Sequence, residues 1–118
     1  MKVYGLGLKG EEAAARYLRK KGFKILQKNY QSRFGELDII AKDKDCLVFC
    51  EVKTRSEGMI APPQESVDYI KQQKMIKTAF FWLQGKGLEE QPMRFDVLAV
   101  VPDGKKFLIE HFENAFTL

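Results

Sequence analysis

Two apolar runs joined by four charged residues constrain the fold more than any other feature of this chain. The runs cover residues 36–41 and 46–53, and the joining segment is Lys42 to Asp45. Both runs have the length of a β-strand and the joining segment is polar, so together they predict an antiparallel hairpin. The second run is apolar on both faces until its end, which places it in the interior of a sheet. Charged side chains inside such a pair are costly to bury, so Asp38, Glu51 and Lys53 call for a chemical explanation.

The order of the remaining elements predicts the fold class. The second helix carries Tyr69, Ile76, Phe80 and Leu83 on one apolar stripe, with Met75, Ala79 and Trp82 beside it. A loop over residues 54–63 precedes that helix. The predicted elements are a helix over 7–21, strands over 23–30, 36–41 and 46–53, a helix over 64–84, and strands over 93–101 and 105–112. This order, α-β-β-β-α-β-β, predicts an α/β fold with a mixed central sheet flanked by helices, in one domain spanning residues 1–118.

Composition narrows the class of protein. The chain is 45% apolar and 31% charged, as in an ordinary water-soluble domain, and its longest apolar runs have five residues, too few to span a bilayer. Its N-terminus has no continuous apolar segment of the kind found in secretory signals. Cys46 and Cys50 lie within one apolar strand pattern and read as reduced core residues. We therefore expect a cytoplasmic protein without a membrane partner.

The register of the hairpin decides whether the two acids meet. Side chains alternate along a strand, so Glu51 and Lys53 project from one face. By the same rule Asp38 shares a face with Glu36, opposite Leu37 and Ile39. If the hairpin pairs Asp38 with Phe49 or Glu51, both carboxylates point the same way, whereas a slip of one residue separates them.

Two carboxylates and a lysine on one face indicate metal-dependent phosphodiester chemistry. Asp38 and Glu51 are predicted to hold Mg²⁺, for which Mn²⁺ is expected to substitute, and Lys53 orients the attacking water or stabilises the developing oxyanion. Glu11 lies on the inward face of the first helix, where it serves either as a ligand of metal or water or as a partner of the helix dipole. The alternative is a buried Glu51–Lys53 ion pair with Asp38 capping a turn.

A block of cations indicates a polyanion as partner. Seven bases and no acid lie between Ala13 and Gly35, although cations also favour a helix C-terminus for local reasons. Lys71, on the second helix, either contacts phosphate or lies on a solvated face. The candidates for nucleic-acid contact are Arg16, Arg19, Lys20, Arg33, Arg55 and Lys71.

Three further residues have simpler interpretations. Arg94 and Asp96 predict an ion pair at a strand start. His111 has no Cys or His at ligand spacing, which predicts an exposed strand residue.

Four ordered motifs resemble those of the bacterial YraN family, whose members are similar to archaeal Holliday-junction resolvases of the PD-(D/E)xK nuclease superfamily. The motifs are Gly7-x-x-Gly10-Glu11-x-x-Ala14-x-x-Tyr17-Leu18, Gly35-Glu36-Leu37-Asp38-Ile39-Ile40, Phe49-Cys50-Glu51-Val52-Lys53-Thr54-Arg55 and Arg94-Phe95-Asp96-Val97. Cys50 stands where the family more often has valine. Leu37 replaces the proline that precedes the aspartate in the superfamily.

The resemblance implies a restriction-endonuclease-like core with Asp38, Glu51 and Lys53 as the active-site triad and Glu11 as a supporting acid. The implied activity is Mg²⁺-dependent endonucleolytic hydrolysis of DNA, with branched or structured DNA among the substrates and a two-fold homodimer as a plausible assembly. Two alternatives stay open. One is a non-catalytic nucleic-acid-binding module or assembly partner that retains the fold, and the other is a metal-stabilised interaction domain without nucleic acid.

Overall fold

The computed structural model describes residues 2–55, 67–88 and 90–118. Its elements follow the predicted order α-β-β-β-α-β-β. Most of the predicted 54–63 loop, and the stretch 64–66 with which the second helix was predicted to begin, lie outside the described residues. The elements are α1 (Lys2–Lys20), β1 (Lys24–Ser32), β2 (Gly35–Asp43), β3 (Cys46–Thr54), α2 (Tyr69–Lys86), β4 (Met93–Asp103) and β5 (Lys106–Phe116).

The strands form one five-stranded mixed sheet in the order β1-β2-β3-β4-β5. The first three strands form an antiparallel meander, β3 pairs with β4 in parallel, and β4 pairs with β5 as an antiparallel hairpin. A parallel pair needs a long crossover, and here the crossover contains α2. The predicted central position of the Cys46–Lys53 run is confirmed, because β3 has a neighbour on each side.

Each face of the sheet is covered by one helix. The helix α1 packs Ala14, Ala15 and Leu18 against one face, and α2 packs Met75 and Trp82, among others, against the opposite face. The predicted apolar stripe of α2 is partly wrong, because Tyr69 is 72% exposed and Phe80 40% exposed. Met75, Ala79 and Trp82, which were placed beside that stripe, are buried together with Leu83 from the stripe itself, so the helix is rotated relative to the prediction.

A close approach between α1 and β3 fixes where the first helix meets the sheet. A Cβ atom on Gly10 would collide with the side chain of Thr54, so glycine is required at this contact. The next residue of α1, Glu11, is thereby held near the end of β3 that carries Glu51.

Among the described residues, neither helix combines the length and the apolar character that crossing a bilayer requires.

Candidate active site

The register of the β2–β3 hairpin brings Asp38 and Glu51 together. Ile39 pairs with Cys50 and Ile40 with Phe49, and the same register continued by one residue sets Asp38 opposite Glu51. The backbone N–H of Val52 donates a 2.7 Å hydrogen bond to Oδ2 of Asp38. Regular backbone pairing between β2 and β3 therefore ends at Asp38. From this point the side-chain carboxylate of Asp38, not a backbone carbonyl, accepts the hydrogen bond from β3. Of the two pairings that the sequence left open, that of Asp38 with Phe49 is wrong, because Phe49 pairs with Ile40, and the register leads Asp38 to Glu51.

The alternation of side chains along β2 breaks at Asp38. Leu37 packs in the cluster under α2, whereas Ile39 packs in the cluster under α1, so the prediction that these two residues share a face is wrong. The break coincides with Asn29, which lies beside Asp38 in the β1–β2 register and has a φ of 55°. Asparagine tolerates this left-handed conformation better than most residues. The irregular backbone reorients side chains at the position where the site forms.

Glu51 is the centre of the site. It is 5% exposed, and its Oε2 atom lies 3.4 Å from Nζ of Lys53 and 3.4 Å from Nζ of Lys71. The contact with Lys53 confirms the predicted common face of the two residues. The contact with Lys71, from α2, was not predicted, because it depends on how the helix packs across the sheet.

Local structure at the start of α2 positions Lys71. The side chain of Asp68 caps the helix by accepting a 2.8 Å hydrogen bond from the backbone N–H of Lys71. Val67, just before the cap, is buried in the core, and its carbonyl accepts a 2.9 Å hydrogen bond from the side chain of Gln72. The first turn of α2 is thus anchored to the core, and Lys71 extends from an ordered turn toward Glu51.

The Asp38 carboxyl is strongly perturbed. Burial raises its pKa to about 7, repulsion from Glu51 adds to this effect, and the hydrogen bond from Val52 opposes it. Glu11 and Glu36 also contribute repulsion. A raised pKa in a carboxyl next to a second acid is typical of functional sites, although structural networks can produce it as well.

Glu11 lies at the margin of the same group of acids. Burial raises its pKa, a hydrogen bond from the Asn29 side chain lowers it, and repulsion from Glu36 and Glu51 raises it further. The left-handed residue beside Asp38 therefore also orients Glu11, a role that the sequence analysis did not identify. An asparagine within an otherwise alternating strand was the signal that could have pointed to it.

The donors at this site fit a hard divalent cation with retained waters. No three His, Cys, Asp or Glu side chains in the described parts of the chain converge into a complete metal-binding group. Mg²⁺ commonly uses one or two carboxylates and keeps several waters, so Asp38 and Glu51 would be the protein ligands of such an ion. The mutual repulsion that contributes to the raised pKa of Asp38 is also what a bound cation would relieve.

The predicted nucleic-acid contacts fall into separate groups. Arg16, Arg19 and Lys20 are exposed on α1, well away from Lys71. Arg33 is exposed in the β1–β2 turn, with its guanidinium 5.0 Å from the ring centre of Phe34. Arg55 follows β3, and its backbone N–H donates to the carbonyl of Val100. The structure therefore brings Lys71, but not the α1 cations, to Glu51.

A second buried cluster surrounds Asp96. This residue is fully buried and accepts hydrogen bonds from Arg94 Nε at 3.0 Å and from the backbone N–H of Asn114 at 3.0 Å, with Nε2 of His111 at 2.7 Å. The predicted pair of Arg94 and Asp96 is confirmed. The prediction that His111 is exposed is wrong, because its side chain is 3% exposed and packs against Tyr17 and Phe23.

The Asp96 cluster has a structural role. Burial alone would raise the pKa of Asp96, but the hydrogen bonds from His111, Arg94 and Asn114 outweigh it and lower the pKa below its ordinary value. The ionised carboxylate therefore joins β4 to β5 and stabilises the fold.

Known sequences are similar to this chain over almost its full length. The sequence model of a family described as "Uncharacterised protein family UPF0102" matches residues 10–100. A "UPF0102 protein" of Geobacter metallireducens is 43% identical over 96% of this chain and 93% of its own length. The protein "UPF0102 protein THEYE_A1950" of Thermodesulfovibrio yellowstonii is 49% identical over 94% of this chain and 95% of its own. A third relative, from Pelotomaculum thermopropionicum, is 47% identical with 94% coverage of both chains.

Proposed function

Because this chain belongs to the UPF0102 family, as its YraN-like motifs predicted, and that family is described as uncharacterised, we propose a function from the site itself. The proposal is a metal-dependent endonuclease that hydrolyses phosphodiester bonds of DNA, with branched or structured DNA as the preferred class of substrate. One observation carries it: a nearly fully buried glutamate contacts two lysines from different elements and lies opposite a second, half-buried acid.

The lysines supply positive charge where a phosphodiester would react. Lys53 and Lys71 keep 28% and 34% of their side chains exposed, while the Glu51 side chain beneath them is 6% exposed. The ammonium groups therefore lie between the carboxylate and solvent, where they can also contact an incoming phosphate. Hydrogen-bond donors placed before the reaction stabilise charge that develops on the phosphoryl oxygens.

A cleft beside Lys71 offers room for the substrate. It has a volume of about 370 Å³ and lies between the β1–β2 hairpin and the start of α2. Lys71 and Lys74 lie on its α2 wall, and Gln31 and Ser32 on its hairpin wall. Cations and polar side chains of this kind contact sugar and phosphate without selecting a base sequence.

Each acid has a distinct role in the proposed reaction. Asp38 and Glu51 would hold Mg²⁺, which when bound lowers the pKa of a coordinated water and polarises the scissile phosphate. The backbone N–H of Val52 fixes the Asp38 carboxylate, and the two lysines fix that of Glu51. Lys53 would orient the attacking water, and Glu11 would accept a hydrogen bond at the margin of the site.

Cleavage of synthetic DNA tests the proposal. We expect the wild-type chain to cut four-way junctions or flaps in Mg²⁺ or Mn²⁺ but not in EDTA. Asp38→Asn and Glu51→Gln should each lose at least about 100-fold in rate, which corresponds to about 3 kcal/mol of transition-state stabilisation. The exposed acid Asp45, in the turn between β2 and β3 and outside the cleft, supplies the control Asp45→Asn, which should cut normally. Equal cleavage rates for wild type and both site variants would refute the proposed nuclease activity.

A second candidate function rests on the same lysines. Since they already neutralise Glu51, the site needs no cation for stability, as expected of a nucleic-acid-binding module that retained the fold. Calorimetric titration with Mg²⁺ in the absence of DNA distinguishes the two. Mg²⁺ binding that is lost in Asp38→Asn supports the nuclease function. DNA binding without any Mg²⁺ binding supports the non-catalytic binding module.

A further inference from the structure

A basic groove lies on the flank of α1 that faces β5, away from the acids. It has a volume of about 600 Å³ and is lined by α1 residues at positions 13, 16, 17 and 20 and by residues 105–109. The spacing of the α1 residues puts them on one helical face. Glu11 and Lys20 are nine residues apart, about 2.5 helical turns, so they project from opposite sides of α1.

Four cations from two distant parts of the sequence converge on this groove. Arg16 and Lys20 come from α1, and Lys105 and Lys106 from the β4–β5 hairpin. All four are exposed, and among the described residues none of them forms an ion pair. No acidic side chain is among the described residues that line the groove, although Asp103 pairs with Lys106 in the hairpin register.

We propose that this groove is a second DNA contact, which binds the phosphodiester backbone of a duplex segment other than the one at the Asp38–Glu51 site. This inference rests on the proposed function and adds a partner surface to it. The charge of the groove complements a polyanion, and Arg16 and Lys20 lie about 6 Å apart along the helix axis. That distance is close to two phosphate steps of one strand along duplex DNA.

The position of the groove defines the class of substrate. Glu51 faces α2 through its contact with Lys71, whereas the groove lies beside α1, on the opposite face of the sheet. A DNA molecule that occupies both surfaces must either bend around the edge of the sheet or present two arms. A branched duplex presents two arms without the energetic cost of bending.

Salt-dependent binding with a matched control tests the groove. Lys105→Gln/Lys106→Gln removes two groove cations, and Lys44→Gln/Lys77→Gln removes two exposed lysines elsewhere. Binding of a fluorescent four-way junction is measured by anisotropy in EDTA between 50 and 250 mM KCl. The groove variant should weaken binding about tenfold to hundredfold at 100 mM salt and lower the slope of log K against log salt by about 2 relative to the control.

Each possible result supports or refutes the proposed groove contact. If the slope of log K against log salt is the same for the two double variants, the groove does not contact DNA, and the nuclease proposal is unaffected. A wild-type chain that binds no junction at 50 mM KCl overturns both. Groove-dependent binding without cleavage in Mg²⁺ supports the groove and refutes the nuclease. Binding to vesicles containing phosphatidylglycerol is measured as well, because Leu108 beside these lysines is 60% exposed and could contact a membrane surface. A loss confined to vesicle binding assigns the groove to an anionic membrane surface and overturns the DNA proposal.

Discussion

Replacing Asp38 by asparagine should make the metal-free protein more stable at alkaline pH, although it removes a candidate ligand. The ordinary pKa of this carboxyl is 3.8, and burial together with repulsion from Glu51 raises it to about 7 in the folded state. Between these values the folded state keeps a proton that the unfolded state has released. Stability therefore falls as the pH rises through that window, and the loss is complete above about pH 7.

The size of the effect follows from the difference between the two pKa values. The full difference corresponds to about 4 kcal/mol, of which about 2 to 3 kcal/mol falls between pH 5 and pH 8. Asp38 retains some contact with solvent, so we expect the lower part of this range. The amide oxygen of an asparagine can still accept the hydrogen bond from Val52, so the main change is the loss of the charge.

Urea unfolding in EDTA at pH 5, 6, 7 and 8 measures the effect. The stability of Asp38→Asn relative to wild type should increase by about 2 kcal/mol from pH 5 to pH 8, or roughly 1 M in the urea midpoint. Asp45→Asn removes an exposed acid from the turn that follows β2 and should stay within about 0.5 kcal/mol of wild type throughout. If wild type and Asp38→Asn show the same pH dependence, the carboxyl is not destabilised in the way described.

Three other substitutions test separate parts of the structure. Glu51→Gln should be destabilising by about 1 to 3 kcal/mol at pH 7, because it leaves two ammonium groups facing each other; a urea midpoint at or above that of wild type would contradict this reasoning. Asp96→Asn breaks the buried cluster that joins β4 to β5 and should cost about 3 to 5 kcal/mol in the same assay, and a loss below 1 kcal/mol would show that the cluster is not stabilising. Gly10→Ala should cost about 1 to 3 kcal/mol through its collision with Thr54, and Thr54→Ala should recover much of that loss in a double-mutant cycle; additive effects would exclude the contact.

The sequence predicted those parts of the site that depend on local geometry. The two-residue turn between β2 and β3, Lys44 and Asp45, fixes the register and therefore sets Asp38 opposite Glu51. The common face of Glu51 and Lys53 follows from alternation within one strand. These relations involve neighbours in the chain, and simple periodicity is enough to derive them.

Other features depend on tertiary packing and could not be derived in this way. Lys71 reaches Glu51 because α2 crosses the sheet with a particular rotation, and the exposure of Tyr69 shows that apolar spacing alone gave a different rotation. The break at Asp38 arises from an irregular backbone in the neighbouring strand. His111 is buried because its partner Asp96 lies on an adjacent strand, which a search for Cys or His at ligand spacing does not detect.

The parallel pairing of β3 with β4 has a consequence for the order in which the chain assembles. The strands β1, β2 and β3 are connected by turns of two residues each. In contrast, residues 55–92 separate β3 from β4, and this long connection must close before the two strands can pair. Short-range pairings form early in folding, and closure of a long crossover is slower. We therefore expect Asp38 and Glu51 to meet in an early intermediate before Lys71 arrives. Docking of α2 would then bring the Lys71 ammonium to Glu51, so the site would gain its second lysine only when the crossover closes.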